Sequence, residues 1–169
     1  MPTPPRDASF KDGFEPIRLR AIDIADLQVV SALMQDAVFT ARDVSWMPGR
    51  RRFALVANRF RWEAPALGER VRVGLHFEHV TGARVRGIDP GAADQVVSLL
   101  SVMYEPAKPG APVRDGEELP TAGNIRLTGS GNVEILLTVE ALDAQAHDMT
   151  TPWSAKGIPA HEIGGEALE

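Results

Sequence analysis

The spacing of apolar residues changes early in the chain, from the two-residue period of a strand to the period of a helix. Ile17 to Ile22 alternates apolar and polar residues, which predicts a half-buried strand. Asp23 then fits a helix N-cap, with Asp26 at the third helical position in a capping-box arrangement. The apolar residues that follow recur at helical spacing: Leu27, Val30, Leu33, Met34 and Ala37. The pattern predicts a helix from Ile24 to about Asp36 that packs one apolar face on a sheet.

Two strands are predicted next, over Val38 to Met47 and Arg51 to Glu63. Within the second strand the apolar residues are odd-numbered around Leu55 and even-numbered around Trp62. A strand cannot bury both sets on one face without an inserted residue, so we expect a bulge or bend near Ala57-Asn58.

Arg70 to Glu78 shows the clearest alternation in the chain and predicts a strand whose odd-numbered residues face inward. Val80-Thr81-Gly82 fits a three-residue hairpin loop, with Gly82 in the left-handed conformation. This register would place His76 opposite Arg86 on the outer face of one hairpin.

A second hairpin is predicted around Gly129-Ser130-Gly131, between residues 125–127 and 133–139. The same loop geometry aligns Ile125 with Ile135. The apolar parity then changes again, so we expect a bulge near Ala141 and a strand that continues to about residue 149.

Two further segments leave alternatives open. Residues 96–104 are almost all apolar, which suits a buried strand or a short helix. Residues 106–122 are rich in proline and glycine and predict a long surface loop, either a lid or a disordered insertion.

These elements predict an α+β fold. An N-terminal strand and helix would pack on a strongly bent, mostly antiparallel sheet of about seven to eight strands, open or partly closed into a barrel. Residues 1–14 are expected to be a flexible segment, 15–153 a single globular domain and 154–169 a flexible tail. The length of 169 residues and the 44% apolar content fit one domain with its own core.

Composition and motifs exclude several classes of protein. The chain has no cysteine, which excludes a disulfide scaffold, a thiol nucleophile and a thiolate metal site. No Gly-x-Ser-x-Gly, phosphate-loop or dinucleotide-binding motif occurs. The N-terminus lacks the apolar core of a secretory signal, so we expect a cytoplasmic protein without a membrane interaction. No catalytic residue is assigned, and neither a metal nor a cofactor is expected.

Charge is unevenly distributed along the chain, whose net charge is −5. Segment 42–86 holds ten arginines and four acidic residues, a net charge of +6, whereas segment 105–169 carries −7. Of the 18 basic residues, 15 are arginine, the side chain best suited to bidentate anion recognition.

The central arginines and two neighbouring polar residues are the candidate binding residues: Arg59, Arg61, Arg70, Arg72, Arg86, His76 and Asn58. Arg70, Arg72 and Arg86 are expected on the outer face of the first hairpin. Arg59 and Arg61 alternate with Phe60 and Trp62, a pattern that favours arginines in water and aromatic rings in the core. His147 and Asp143 with a distant histidine could form a metal site, but the four scattered histidines are better interpreted as surface or hydrogen-bonded residues.

Three functions remain open. The first is a non-enzymatic binding or protein-interaction domain that uses the arginine-rich sheet face, with a protein partner or self-association preferred and a small anionic ligand as an alternative. The second is a small enzyme or ligand carrier with a pocket in the curved sheet, where Asn58, Arg59 and His76 would lie and Tyr104 would be the candidate acid. The third is a weak nucleic-acid binder, which the acidic net charge disfavours.

Several segments resemble one family of small bacterial proteins, domain of unknown function 2948. The resemblance covers about residues 17 to 153 and is carried by these runs: Ala25 to Val38, Trp46-Met47-Pro48, Arg52 to Leu55, Asn58 to Glu63, Val97 to Leu100 and Val139 to Ala144. No activity is established for that family, so the resemblance implies a bacterial, cytosolic protein but no reaction and no catalytic residues.

Overall fold

The computed structural model describes residues 13–107 and 122–155. Within these ranges the chain forms one α-helix, α1 (Ile24–Met34), and eleven strands. The strands are β1 (Arg18–Ala21), β2 (Val38–Thr40), β3 (Val44–Met47), β4 (Arg52–Phe60), β5 (Glu69–Phe77), β6 (Val80–Arg86), β7 (Val96–Pro106), β8 (Gly123–Gly129), β9 (Glu134–Val139), β10 (Ala144–Asp148) and β11 (Trp153–Ser154).

All eleven strands of the described residues belong to one antiparallel sheet, in the order β1-β10-β5-β4-β2-β7-β8-β9-β6, with β3 paired to β4 and β11 to β5. The predicted mostly antiparallel sheet with one helix is therefore confirmed. The end strands β1 and β6 do not pair with each other, so the sheet is open and the barrel alternative is wrong. The expected count of seven to eight strands is too low, in part because a 3₁₀ turn at Ala41–Asp43 divides one predicted strand into β2 and β3.

Helix α1 begins where the sequence predicts. The backbone N–H of Asp26 donates to Oδ1 of the N-cap Asp23 at 2.8 Å. The helix ends at Met34, two residues early, because Asp36 adopts a left-handed conformation (φ 62°) and its N–H donates to the carbonyl of Leu99 in β7 at 2.7 Å. Leu27, Val30 and Met34 form the buried face of the helix.

One core cluster joins the helix to both halves of the sheet. It contains Leu55 and Leu75 from β4 and β5, Leu127 and Leu137 from β8 and β9, and Val30 from the helix. Because both halves contribute to the same cluster, the sheet bends around a single core although its ends stay apart. The one helix among the described residues is too short to cross a membrane.

The predicted hairpin between β5 and β6 does not form. One edge of β5 pairs with β4 and the other with β10, so no edge is left for β6, which pairs with β9. His79, not Gly82, takes the left-handed conformation where the chain leaves β5 (φ 57°). As a result Arg86 lies opposite Glu134 rather than His76.

The second hairpin forms, with a register that differs by two residues from the predicted one. Ile125 lies opposite Leu137 because the loop is Ser130-Gly131-Asn132, one residue later than predicted. The N–H of Gly129 donates to the carbonyl of Val133 at 2.8 Å and closes this loop. A shift of two residues leaves each side chain on its predicted face.

Strand β4 contains no bulge near Ala57-Asn58, so that prediction is wrong. Its register with β5 runs unbroken from Phe53 to Phe60. The parity problem is resolved differently: Arg59 takes a core-facing position, and Phe60 packs on the other face against Trp62, with 4.7 Å between ring centroids. The prediction that Arg59 faces water is therefore also wrong.

The remaining predicted segments have mixed outcomes. Residues 96–104 form a strand, part of β7, and the helix alternative is excluded. Instead of a bulge near Ala141, the chain turns at residues 140–143, so that β10 pairs with β1 and β5 rather than continuing β9. The predicted tail begins with an ordered pair, because Ser154 lies opposite Glu69 in the sheet. Most of the predicted N-terminal segment, of the 106–122 loop and of the tail lies outside the described residues.

Candidate functional site: a cationic groove on the outer face of the sheet

Strands β1, β10 and β5 present a polar surface on the side of the sheet opposite the core, here called the outer face. The odd-numbered residues of β5 from Val71 onward and the alanines of β10 are buried, so the residues that alternate with them point outward. Antiparallel pairing aligns these outward residues in two rows across the three strands: Arg20–Gln145–His76 and Arg18–His147–Gly74.

A depression of about 370 Å³ lies over these rows and is called the cationic groove. Its lining consists of Arg18, Leu19, Arg20, His76, Gln145, Ala146 and His147. The size lies at the lower end of the range for small-molecule sites, roughly 300–1,000 Å³. The groove therefore has room for one small polar group with a short attached chain.

The two histidine rings of the groove contact each other edge to face. Their centroids lie 6.0 Å apart at an interplanar angle of 73°. Nδ1 of His76 lies 3.0 Å from Oε1 of Glu78, and the same oxygen is 2.7 Å from Nε of Arg52. Since Glu78 engages Nδ1, Nε2 is the nitrogen of His76 that remains for a ligand.

Gly74 makes room for the His147 ring. A Cβ atom at position 74 would lie 3.1 Å from both Cε1 and Nε2 of His147, closer than most side-chain contacts. Partial burial, together with His76 and Arg18, lowers the pKa of His147 below its ordinary value, and Asp148 only partly opposes this shift. The neutral form of the His147 imidazole is therefore favoured over the charged form.

Positive charge exceeds negative charge around the groove. Arg20 donates to Asp143 from Nε and Nη2, at 3.1 and 2.9 Å, which holds the pKa of that carboxyl below its usual range. Arg18 is exposed and has no ion-pair partner among the residues that the structure describes. The lining itself contains two arginines, Arg18 and Arg20, and no carboxylate.

Arg59, the first of the predicted binding residues, is 1% exposed and lies inside the protein. It donates to both oxygens of Asp148 at 2.8 Å and to both oxygens of Glu63 at 2.9 Å. Burial alone would raise the pKa of Glu63, but hydrogen bonds from Arg59 overcome it and the pKa is lowered. Arg59 joins β4 to β10 through Asp148 and to the loop after β4 through Glu63. It is not accessible to a ligand.

Arg61 and Arg70 are also committed to internal contacts. Arg61 pairs with Glu63 and Glu69, and its guanidinium lies 4.8 Å from the ring centroid of Phe14. Arg70 donates from Nη1 to the carbonyl of Asn58 at 2.9 Å and to that of Asp36 at 3.2 Å. Burial lowers the pKa of Arg70, and Asp36 opposes the shift.

The other predicted residues are dispersed. Asn58 accepts from Arg72 at 3.4 Å, one row beyond Gly74 on the outer face. Arg86 lies on β6, in the other half of the sheet, and pairs with Glu134 at 3.1 Å. Tyr104, the candidate acid, lies on β7 with its pKa raised by burial. His76 alone of the predicted set lines the cationic groove.

A larger depression, about 670 Å³, surrounds the Gly129–Val133 turn. Its charged residues are Arg86 and Glu134, which pair with each other and neutralise the site. Volume alone would favour this depression, but the cationic groove has the stronger set of hydrogen-bond donors. Within the described residues, no three His, Asp or Glu side chains are grouped to hold a metal ion.

Sequence reasoning missed Arg18, Arg20 and Gln145 and considered His147 only for a metal. The alternation in residues 17–22 placed both arginines on one polar face, and residues 145 and 147 likewise share a face. Nothing local indicates that these two faces join, because Arg18 and His147 are 129 positions apart and meet only through the β1–β10 pairing.

Comparison with known proteins adds a family and no activity. Residues 17–161 match the model of a family described as "Protein of unknown function (DUF2948)". No curated protein and no solved structure matches the chain. The function has to be inferred from the geometry above.

Proposed function

Because the chain belongs to the DUF2948 family, whose function is unknown, we propose a function from the geometry alone: a non-enzymatic binding domain that holds the anionic group of a small molecule in the cationic groove. The observation that carries the proposal is the convergence of Arg18, Arg20, His76 and His147 on one depression. The arginine-rich face expected from the sequence is thereby replaced by a different set of residues on the same sheet.

The donors of the groove support an anion in preference to a cation or an apolar ligand. Guanidinium groups donate and do not accept, each imidazole donates from at least one ring nitrogen, and Gln145 adds an amide donor. Arg18 carries a charge that no carboxylate among the described residues neutralises. An exposed, unpaired arginine beside a second arginine and two histidines favours an oxyanion.

A small ligand fits better than a nucleic acid. Nucleic-acid binding needs a basic surface that follows several phosphates. Arg59, Arg61 and Arg70, which would have extended such a surface, are engaged in contacts within the protein. The chain as a whole carries −5, which repels a polyanion at long range.

The test is titration of the full chain with sodium sulfate at pH 6.5 and low ionic strength, followed by NMR of the histidine Cε1–H signals. We expect saturable shifts at His76 and His147. Arg18→Gln should weaken binding about tenfold, since one charge-assisted hydrogen bond contributes roughly 1.5–3 kcal/mol.

Arg84→Gln is the matched control, because Arg84 is equally exposed but lies on β6 outside the groove. Equal weakening by both substitutions would indicate a diffuse charge effect and would refute the proposal. So would the absence of any shift at the two histidines.

A further inference from the structure

The arrangement of donors around the groove identifies the class of anion. We infer that the ligand is anchored by a tetrahedral dianion, as found on a phosphate monoester, and that its binding adds protons to the His76–His147 pair. This inference rests on the proposed function and specifies the ligand and its pH dependence.

Donors reach the groove from three strands. Neighbouring strands lie about 4.8 Å apart, so the donors of the rows Arg20–Gln145–His76 and Arg18–His147–Gly74 enter the groove from three separate lines along its floor. A planar carboxylate satisfies one bidentate donor in its own plane. A tetrahedral oxyanion has oxygens that point in several directions, and it can accept from an arginine of β1 and from both histidines at once.

Gly74 leaves the space that the His147 ring of the second row occupies. Because it has no side chain, the His147 ring lies across β5 instead of standing away from it. The centroid of the ring thereby lies 6.0 Å from that of His76. Both imidazoles and both guanidinium groups then border the same volume.

The charges around His147 oppose its protonation while the groove is empty. His147 faces Arg18 from β1 and His76 from β5, with Asp148 of its own strand as the opposing acid. His76 faces Glu78 on its own side and, beyond it, Arg52 from β4. Protonating both rings would place two like charges in edge-to-face contact beside two arginines.

A bound dianion makes protonation of an imidazole in the groove favourable instead of unfavourable. With neutral imidazoles Asp143 offsets Arg20, so the lining keeps the one positive charge of Arg18, and two protonated rings would raise it to three. The single negative charge of a monoanion is balanced by the charge of the groove without any added proton. A dianion is matched only when at least one ring is charged, so its binding favours proton uptake.

The experiment compares sulfate, which stays a dianion between pH 5.5 and 8, with nitrate, which stays a monoanion. Calorimetry in two buffers of different ionisation enthalpy at pH 7 measures the protons taken up on binding. We expect more uptake with sulfate than with nitrate, because a doubly charged anion favours a charged imidazole more strongly. Affinity for sulfate should rise as pH falls, about tenfold for each imidazole whose pKa rises by one unit on binding.

Two histidine variants and one further ligand complete the test. His147→Gln and His76→Gln should each reduce proton uptake by sulfate, whereas Arg84→Gln should leave it unchanged. Glycerol phosphate should bind with the same proton uptake as sulfate if the groove admits an ester.

The results that would overturn the dianion differ from those that would overturn anion binding itself. Sulfate binding in the groove without proton uptake, or nitrate binding as tight as sulfate, would overturn the dianion while leaving an anion-binding domain. No binding of either ion would remove both proposals.

Discussion

Arg59 and Asp148 form a bidentate ion pair in the interior of the sheet, Nε to Oδ1 and Nη2 to Oδ2, both at 2.8 Å. Their side chains are 1% and 0% exposed. Asp148 also accepts from the backbone N–H of Ile17 at 2.8 Å. The pair therefore joins β4 to β10 and orients the chain that enters β1, the strand that carries both arginines of the groove.

Removing the carboxylate of this pair should strongly destabilise the fold. Asp148→Ala leaves Arg59 buried with Glu63 as its one remaining acid, and loss of one partner from a buried pair typically costs about 3–5 kcal/mol. We expect a fall of that size in the free energy of unfolding, measured by urea denaturation. The double variant Arg59→Met with Asp148→Leu should recover part of it, since no fully buried charge is then left, although the N–H of Ile17 loses its acceptor and Glu63 keeps only Arg61.

The surface pair of Arg86 and Glu134 is the control for that experiment. Arg86 is 76% exposed, and such pairs contribute about 0–1 kcal/mol. Arg86→Ala should therefore change the unfolding free energy by less than about 1 kcal/mol. A similar small effect of Asp148→Ala would contradict a structural role for the buried pair.

Two glycine substitutions should behave differently. Gly87→Ala places a Cβ 2.6 Å from the carbonyl oxygen of Asn132 at a φ of +83°, and we expect a loss of more than about 2 kcal/mol. The atoms nearest to a Cβ at Gly74 belong to the His147 ring and the Met149 sulfur, both ends of flexible side chains, so Gly74→Ala should cost less than about 1 kcal/mol. Its main effect should be a displaced His147 signal and weaker sulfate binding, both measurable by NMR.

The pKa of His147 makes a pH-dependent contribution to stability. Because the pKa is lower in the folded than in the unfolded state, the unfolded chain binds more protons once the pH falls below about 6.5. Above about pH 6.5 His147 does not change the free energy of unfolding with pH. Below that pH the unfolded chain gains the proton more readily, so the free energy of unfolding decreases. Urea denaturation at pH 8 and pH 5.5 should show a smaller loss for His147→Gln than for the unchanged protein, by less than about 1 kcal/mol because the exposed part of the ring is screened by water.

The N-cap of α1 gives a local test of the fold. Asp23→Ala removes the acceptor for the N–H of Asp26 and should cost about 1 kcal/mol. Asp23→Asn keeps the acceptor and should restore most of the loss. Equal destabilisation by both substitutions would show that charge, not the hydrogen bond, is the relevant property.

The helix and most strands could be predicted because their causes are local. The N-cap at Asp23 and the apolar spacing that follows locate α1 without any distant contact. Alternation likewise predicts which residues of β5 are buried, and the Gly129–Val133 turn predicts a hairpin with the correct faces. Each of these follows from the conformational preference or the periodicity of a few consecutive residues.

Pairing between distant strands decided the rest. A strand has two edges, and whether β5 uses them for β4 and β10 or for β6 depends on packing across the whole core. Periodicity assigns arginine to the solvent, yet Arg59 is buried because Asp148, 89 positions away, offers a carboxylate on the core side.

The sequence by itself determined an antiparallel α+β domain with one helix and an excess of arginine near its centre. Only the tertiary structure decided which charges remain available. Buried arginines need partners, and those partners come from remote segments that no local pattern connects. The same long-range pairing aligned Arg18 with His147 and formed the groove.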